Sequence, residues 1–166
     1  MNNEKVVLGF GSNIGDREEN IKTALKYLDA NEVKLEKLSS FYTSNPVDYK
    51  EQPEFINCVG LFKTKLSPFK LLRLIKQIEK RMGREKEIEK GPRNIDIDII
   101  FHSRVCTSTY NLQIPHPSYR NRLFVLIPLM EIMPDYKPVN SKLSIKELVK
   151  ICKDKESKPQ KIEIHI

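Results

Sequence analysis

Residues 91–102 read GPRNIDIDIIFH, and within them Asp96 and Asp98 have the types and spacing that do chemistry. In an extended chain successive side chains point to opposite faces, so Ile95, Ile97 and Ile99 share one face while Asp96 and Asp98 share the other. Two like charges held this close repel, and water or a cation must compensate them. Mg²⁺ suits the pair because it prefers hard oxygen ligands, keeps several waters, and typically takes one or two carboxylates plus substrate phosphates. Considered alone, a D-x-D pair is more often simply the solvated face of an antiparallel strand. Its neighbours add a second signal: Arg93 follows a Gly-Pro turn just before the pair, and Arg84, Lys86 and Lys90 lie upstream. Cationic side chains around an anionic face are placed to grip phosphates about a metal.

Other residues widen the candidate site. IPHPSYRNR sets His116 between two prolines with Arg120 and Arg122 just beyond, a stiff loop holding a titratable ring, though such a ring often only satisfies a local hydrogen bond. In EFINCV, Phe55, Asn57 and Val59 share a strand face, so an amide stands beside an aromatic ring on an apolar surface. A flat heterocycle would stack on the ring and satisfy the amide; neighbouring backbone would satisfy it equally. GSNIGD lacks the Lys-Ser/Thr of a phosphate-binding P-loop and reads as a strand-to-helix turn. With no GxSxG or HExxH present, paired aspartates among basic clamps point to phosphoryl-type transfer.

These residues need elements to position them. KVVLGF reads as a first strand, and Asp16 caps a helix with Ile21, Ala24, Leu25 and Leu28 on one stripe. VKLEKLSSFYTS and EFINCVGLFKTK have strand character and are joined by NPVDYKEQP, too long for a tight hairpin. Ser67 caps a second helix with Pro68 at its first position, burying Leu71, Leu74, Ile75, Ile78 and Met82. The Asp-bearing strand follows, then the His116 loop, an apolar helix LFVLIPLMEI, and a short helix near 144–152. Strand, helix, strand, strand, helix, strand is the ferredoxin-like split βαβ arrangement, an α+β sandwich with an antiparallel sheet, helices packed on one face and further helices at the C-terminus. The opposite sheet face is then expected to be free for ligands.

Composition sets outer bounds. The 166 residues, 39% apolar with seven Phe and six Tyr, suit one domain over 1–166 with one sizeable core. No apolar run approaches a membrane span or signal peptide, so a soluble, cytoplasmic protein without a membrane partner is expected. Cys58, Cys106 and Cys152 form no CxxC pair and read as reduced thiols, Cys58 buried. A net charge of +7 favours anionic partners without choosing among nucleotides, nucleic acid and phosphorylated metabolites.

Taken in order, GSNIGD, SSFYTSNPV, QPEFINCV, GPRNIDIDII and IPHPSYRNRLFVLIPLMEI strongly resemble the 6-hydroxymethyl-7,8-dihydropterin pyrophosphokinase family of folate synthesis, from about residue 5 to 135. The resemblance implies a ferredoxin-like fold, ATP as co-substrate, two Mg²⁺ ions held by Asp96 and Asp98, and transfer of pyrophosphate to the pterin hydroxymethyl group with release of AMP. By the same resemblance Ser44, Asn45, Val47, Phe55, Asn57 and Phe124 would line a pterin pocket, two rings sandwiching the heterocycle. Glu79, Arg84, Lys86, Arg93, His116 and Arg122 would face ATP, with Arg84 and Arg93 neutralising charge on the transferring group. Family members often carry Trp in the basic loop before Gly-Pro-Arg; this chain has none, and its loop reads REKEIEK. Residues 84–93 are charged and poor in apolar side chains, which suits a lid recruited by ligand phosphates. Residues 137–166 match nothing in the resemblance and stay a poorly assigned C-terminal extension. The substrates are small molecules, no protein partner is specified, and no nucleic acid is expected. The rival reading is a nucleic-acid-binding module, since split βαβ sheets also bind RNA through an open face.

Overall fold

The computed structural model describes residues 3–83 and 94–163. β1 (Glu4–Ser12) ends in the GSNIGD turn, where Gly15 takes a φ of 71°, a conformation that favours glycine. Asp16 then accepts the Glu19 N–H at 3.1 Å and starts α1 (Arg17–Ala30), whose Ile21, Ala24 and Leu28 are buried. β2 (Lys34–Leu38) and β3 (Phe41–Ser44) are two pieces of one path along β4 (Phe55–Thr64). Ser39 separates them, its N–H donating to the Val59 carbonyl and its hydroxyl accepting the Val59 N–H, both at 2.9 Å. α2 (Pro68–Arg81) begins on the Ser67 cap and leads towards β5 (Asp96–His102).

The main sheet is antiparallel in the order β5-β1-β4-β3, with β2 also on β4. This is the split βαβ order expected from the sequence. Two short strands, β6 (Thr107–Ser108) and β7 (Gln113–Ile114), form a separate ribbon that the sequence did not signal. A single 3-10 turn at Tyr119–Asn121 leads into α3 (Leu123–Ile132). α4 (Ile145–Ile151) starts in a capping box in which Ser144 and Glu147 bond reciprocally. β8 (Gln160–Ile162) adds to β3 at the sheet edge. The C-terminal extension is therefore built into the fold on both sides of residue 152.

One core lies between α1, α2 and the sheet, and it takes Ile95, Ile97 and Ile99. A second lies on the opposite face, where Val7, Val59, Leu61, Ile100 and Phe101 meet Val125, Leu126 and Leu129 of α3 and Ile145 and Leu148 of α4. The face expected to be free is thus half covered. The register supplies the reason: Leu8 pairs with Ile99 but Val7 with Phe101, leaving Ile100 as a bulge, so Ile100 and Phe101 both reach the second core. Past the bulge, towards Asp96, that face is uncovered by α3 and α4.

Leu126→Ala, at a site with no exposure, should cost about 2–5 kcal/mol in urea unfolding, whereas Leu35→Ala on half-exposed β2 should cost well under that. Equal losses would mean that α3 is not packed as a core element.

Candidate functional site

The uncovered part of the second sheet face carries a cleft of about 300 Å³. Its floor is set by cross-strand register. Asp96 on β5, Gly11 on β1, Asn57 on β4 and Tyr42 on β3 stand directly opposite one another, and Asp98, Gly9 and Val59 form the next row. Directly paired residues of an antiparallel sheet share a face. Both carboxylates therefore look into the cleft while the intervening Ile97 is buried behind them.

Gly9 and Gly11 keep the floor low. A Cβ on Gly11 would stand 3.1 Å from the Asn57 amide nitrogen, and one on Gly9 would reach 3.4 Å from the Ile100 side chain. The GSNIGD pattern read as a turn does not point to either floor residue; the signal for them is LGFGS, glycine at alternate positions of a strand, which marks close approach.

All six residues expected around a ring line this cleft: Ser44, Asn45, Val47, Phe55, Asn57 and Phe124. Ser44 Oγ donates to Asn57 Oδ1 at 2.5 Å, which turns the Asn57 NH₂ towards Gly11. The long β3–β4 connection supplies Asn45, Pro46, Val47, Asp48 and Gln52 as one wall. Asn13, buried in the GSNIGD turn, holds that wall by donating to Gln52 Oε1 at 2.9 Å and the Pro53 carbonyl at 3.0 Å. Arg17 adds a bond to the Glu54 carbonyl at 3.0 Å.

The phosphate-facing candidates separate. His116 and Arg122 line the cleft, and so does Lys76 of α2, which is not among the residues expected there from the sequence. Arg122 lies 3.9 Å from Asp48 and covers one face of Phe124, 5.5 Å from its centroid. Glu79 is not a wall residue. Its buried carboxylate accepts the Ile97 N–H at 3.0 Å and pairs with Lys76 at 3.4 Å, so it holds the strand between the two aspartates. Arg84, Lys86 and Arg93, with the whole expected lid at 84–93, lie outside the described residues.

His116 is held by its N–H on the Ile100 carbonyl at 3.0 Å, and its Nδ1 accepts the Ser118 N–H at 3.1 Å. The neutral ring then carries its proton on Nε2. Burial, and next the Arg122 charge, push its pKa down to about 4, against the opposing pull of Asp96. Cys58 also touches the cleft, but burial pushes its thiol far up, so it is no nucleophile; all three cysteines are free. Among the described residues no group of three or more His, Cys, Asp or Glu is placed to hold a metal ion. Two hard carboxylates with room beside them fit Mg²⁺, which completes its shell with water and phosphate, and do not fit a closed zinc site.

Paired carboxylates, a guanidinium and a neutral imidazole around one cleft of a split βαβ sheet are the build of a small phosphoryl-group transferase. A family model, 7,8-dihydro-6-hydroxymethylpterin-pyrophosphokinase (HPPK), matches residues 7–134. The 2-amino-4-hydroxy-6-hydroxymethyldihydropteridine pyrophosphokinase of Bacillus subtilis is 41% identical over 155 residues, which cover 92% of this chain and 93% of that protein. A folic acid synthesis protein of Dictyostelium discoideum is 44% identical over 134 residues, covering 81% of this chain but 20% of that one. The chain thus spans nearly all of the first relative and about a fifth of the second. A crystal structure of HPPK-DHPS in complex with substrates shares the fold, with a TM-score of 0.74 at 16% identity over 90% of this chain and 43% of that one. The chain belongs to the HPPK family, a family of pyrophosphokinases of folate synthesis that use ATP as co-substrate.

The depressed His116 pKa makes a pH prediction. In ligand-free protein the ring should stay neutral, with its proton on Nε2, until a midpoint near about 4 in a nitrogen-detected NMR titration. The unfolded chain takes up this proton near pH 6.5 and the folded chain near 4, so stability should fall as pH drops through that window, by about 3 kcal/mol at most. His116→Gln should remove that part of the slope. A midpoint near 6.5 would contradict the burial of the ring and the effect of the Arg122 charge.

Proposed function

We propose that this chain, as one domain over residues 1–166, transfers pyrophosphate from ATP to 6-hydroxymethyl-7,8-dihydropterin, giving AMP and the pterin diphosphate. The observation that supports this most is the row Asp96–Gly11–Asn57, in which a phosphate-side carboxylate and a ring-reading amide share one glycine floor. Phe55 and Phe124 would sandwich the ring. Asn57, oriented by Ser44, would read its edge with Asn45 and Val47 closing the side. Asp96 and Asp98 would hold two Mg²⁺ ions. Bound there, the ions would supply positive charge to offset the charge of the ATP triphosphate.

The other steps belong to the protein's own groups. Arg122 and the His116 Nε2–H point donors at the cleft, suited to phosphate oxygens, and His116 does so without a charge that would need a counter-ion. By the family resemblance, Arg84, Lys86 and Arg93 would face the triphosphate. Glu79 acts through the Ile97 N–H and Lys76, fixing the aspartate strand. With the pterin hydroxyl held against the β-phosphorus, a new O–P bond forms as the bond to the α,β-bridging oxygen breaks, AMP leaves in line, and the hydroxyl proton passes to solvent water. Positioning and electrostatics carry most of the acceleration, and no strong general base is required. The reading carries a cytoplasmic setting with small-molecule substrates. Among the described residues no helix is long and apolar enough to cross a membrane. The nucleic-acid alternative is not supported: the open sheet face it requires is partly roofed by α3 and α4 and otherwise carries two carboxylates.

Incubated with ATP, Mg²⁺ and the hydroxymethyl-dihydropterin, the protein should release AMP; ADP would overturn the reaction. Asp96→Ala and Asp98→Ala should each nearly abolish turnover with the thermal midpoint kept or raised, because like-charge repulsion is relieved. Near-normal activity of either at saturating Mg²⁺ would refute their shared role. Asn57→Leu should weaken pterin binding by about 1–3 kcal/mol and leave ATP affinity unchanged. Equal losses for both ligands would indicate misfolding instead.

A further inference from the structure

The two cleft walls meet a segment that lies beyond the family-matched residues 7–134. α3 begins without a cap of its own: Arg122 occupies the cap position and its side chain makes no capping bond. Asp154, more than thirty residues later, accepts the Leu123 N–H on Oδ2 at 3.0 Å. The same carboxylate accepts the Glu156 N–H at 3.0 Å and the Ser157 N–H at 3.1 Å on Oδ1, and the Ser157 hydroxyl on Oδ2. These bonds fold 154–157 into a tight turn, with Ser157 fully buried and the Asp154 pKa held below its usual range. The turn then grips the other wall. Asn45 N–H donates to the Ser157 carbonyl at 2.7 Å, and Asn45 Nδ2 to the Glu156 carbonyl at 3.2 Å.

We propose that Asp154 is a positioning residue for the pterin side of the cleft, one carboxylate that sets the spacing between the start of α3, carrying Arg122 and Phe124, and the start of the Asn45 wall. The inference rests on the reading of the cleft as a pterin site. The far end of that wall is held from the GSNIGD turn by Asn13 and Arg17; at the near end β3 is fixed as far as Ser44 by its pairing with β4 and β8, and Asn45, the first residue past it, is held by the Asp154 turn. Loss of the carboxylate frees Leu123, Glu156 and Ser157 together, so both walls relax at once and the ring is no longer held between them.

The test compares full-length wild type, Asp154→Ala, Asp154→Asn and Ser157→Ala, with Asp135→Asn as a control, since Asp135 pairs with Lys146 at 2.8 Å and does not line the cleft. Pterin and ATP dissociation constants, the KM and kcat for each substrate, and the thermal midpoint are measured. Asp154→Ala should weaken pterin binding about tenfold or more and raise the pterin KM in step, with kcat at saturation changed less than about threefold. Asp154→Asn keeps one acceptor oxygen and should fall between, Ser157→Ala should weaken pterin about threefold, and Asp135→Asn should change nothing. A lower thermal midpoint with pterin affinity within twofold of wild type would overturn the proposal, leaving Asp154 a purely structural cap. If Asp154→Ala does not fold, unchanged pterin affinity in Asp154→Asn and Ser157→Ala overturns it equally. Failure of the wild type itself to bind pterin would refute the pterin reading, and the clamp with it.

Discussion

The register in which β5 pairs with β1 between Asp96 and Ile99 decides which way Asp96 and Asp98 point, and every other feature of the cleft presupposes it. A slip of one residue would turn Ile95, Ile97 and Ile99 to water and drive two carboxylates into the core beneath α1 and α2. The isoleucines alone oppose that slip by roughly 5–9 kcal/mol, comparable to the whole stability of a small domain, and two buried unpaired charges add more. Glu79 reinforces the register from outside, occupying the Ile97 N–H at the free edge of β5. The hydrophobic effect therefore aims the charges: a doubly anionic surface is kept because its reverse side is apolar.

The same register explains why the carboxylates and the Asn57 amide lie side by side. Asp96 and Asn57 are separated on the sheet only by Gly11, and Asp98 and Val59 only by Gly9. Any side chain at Gly11 would press on the Asn57 amide, so the glycines leave backbone-level space between the carboxylate side of the cleft and the amide side. The bulge at Ile100 marks the border of this region. On one side of it β5 feeds the second core; on the other it feeds the cleft.

Alternation made the Asp strand legible in the sequence, because period-2 patterning reports directly on which residues share a face. Helix caps at Asp16 and Ser67 were legible for the same local reason, and both are formed. The ring-side residues became visible through the ordered motifs that resemble the family, not through spacing. What escaped was non-local. Lys76 looks like one more solvated lysine until α2 packs beside β5, and the half-covered sheet face follows from an apolar helix whose docking site the sequence does not specify. The Asp154 turn escaped because its bonds reach residues 31 and more than a hundred positions away, a distance at which no local pattern operates.

Diffraction from crystals grown with a non-hydrolysable ATP analogue, Mg²⁺ and the hydroxymethyl-dihydropterin tests the shared glycine floor most directly. Divalent-ion density should bridge the carboxylates of Asp96 and Asp98 to the triphosphate, with the pterin ring between Phe55 and Phe124 and its edge on Asn57. Metal density away from both aspartates, or the adenine ring in place of the pterin beside Asn57, would contradict it.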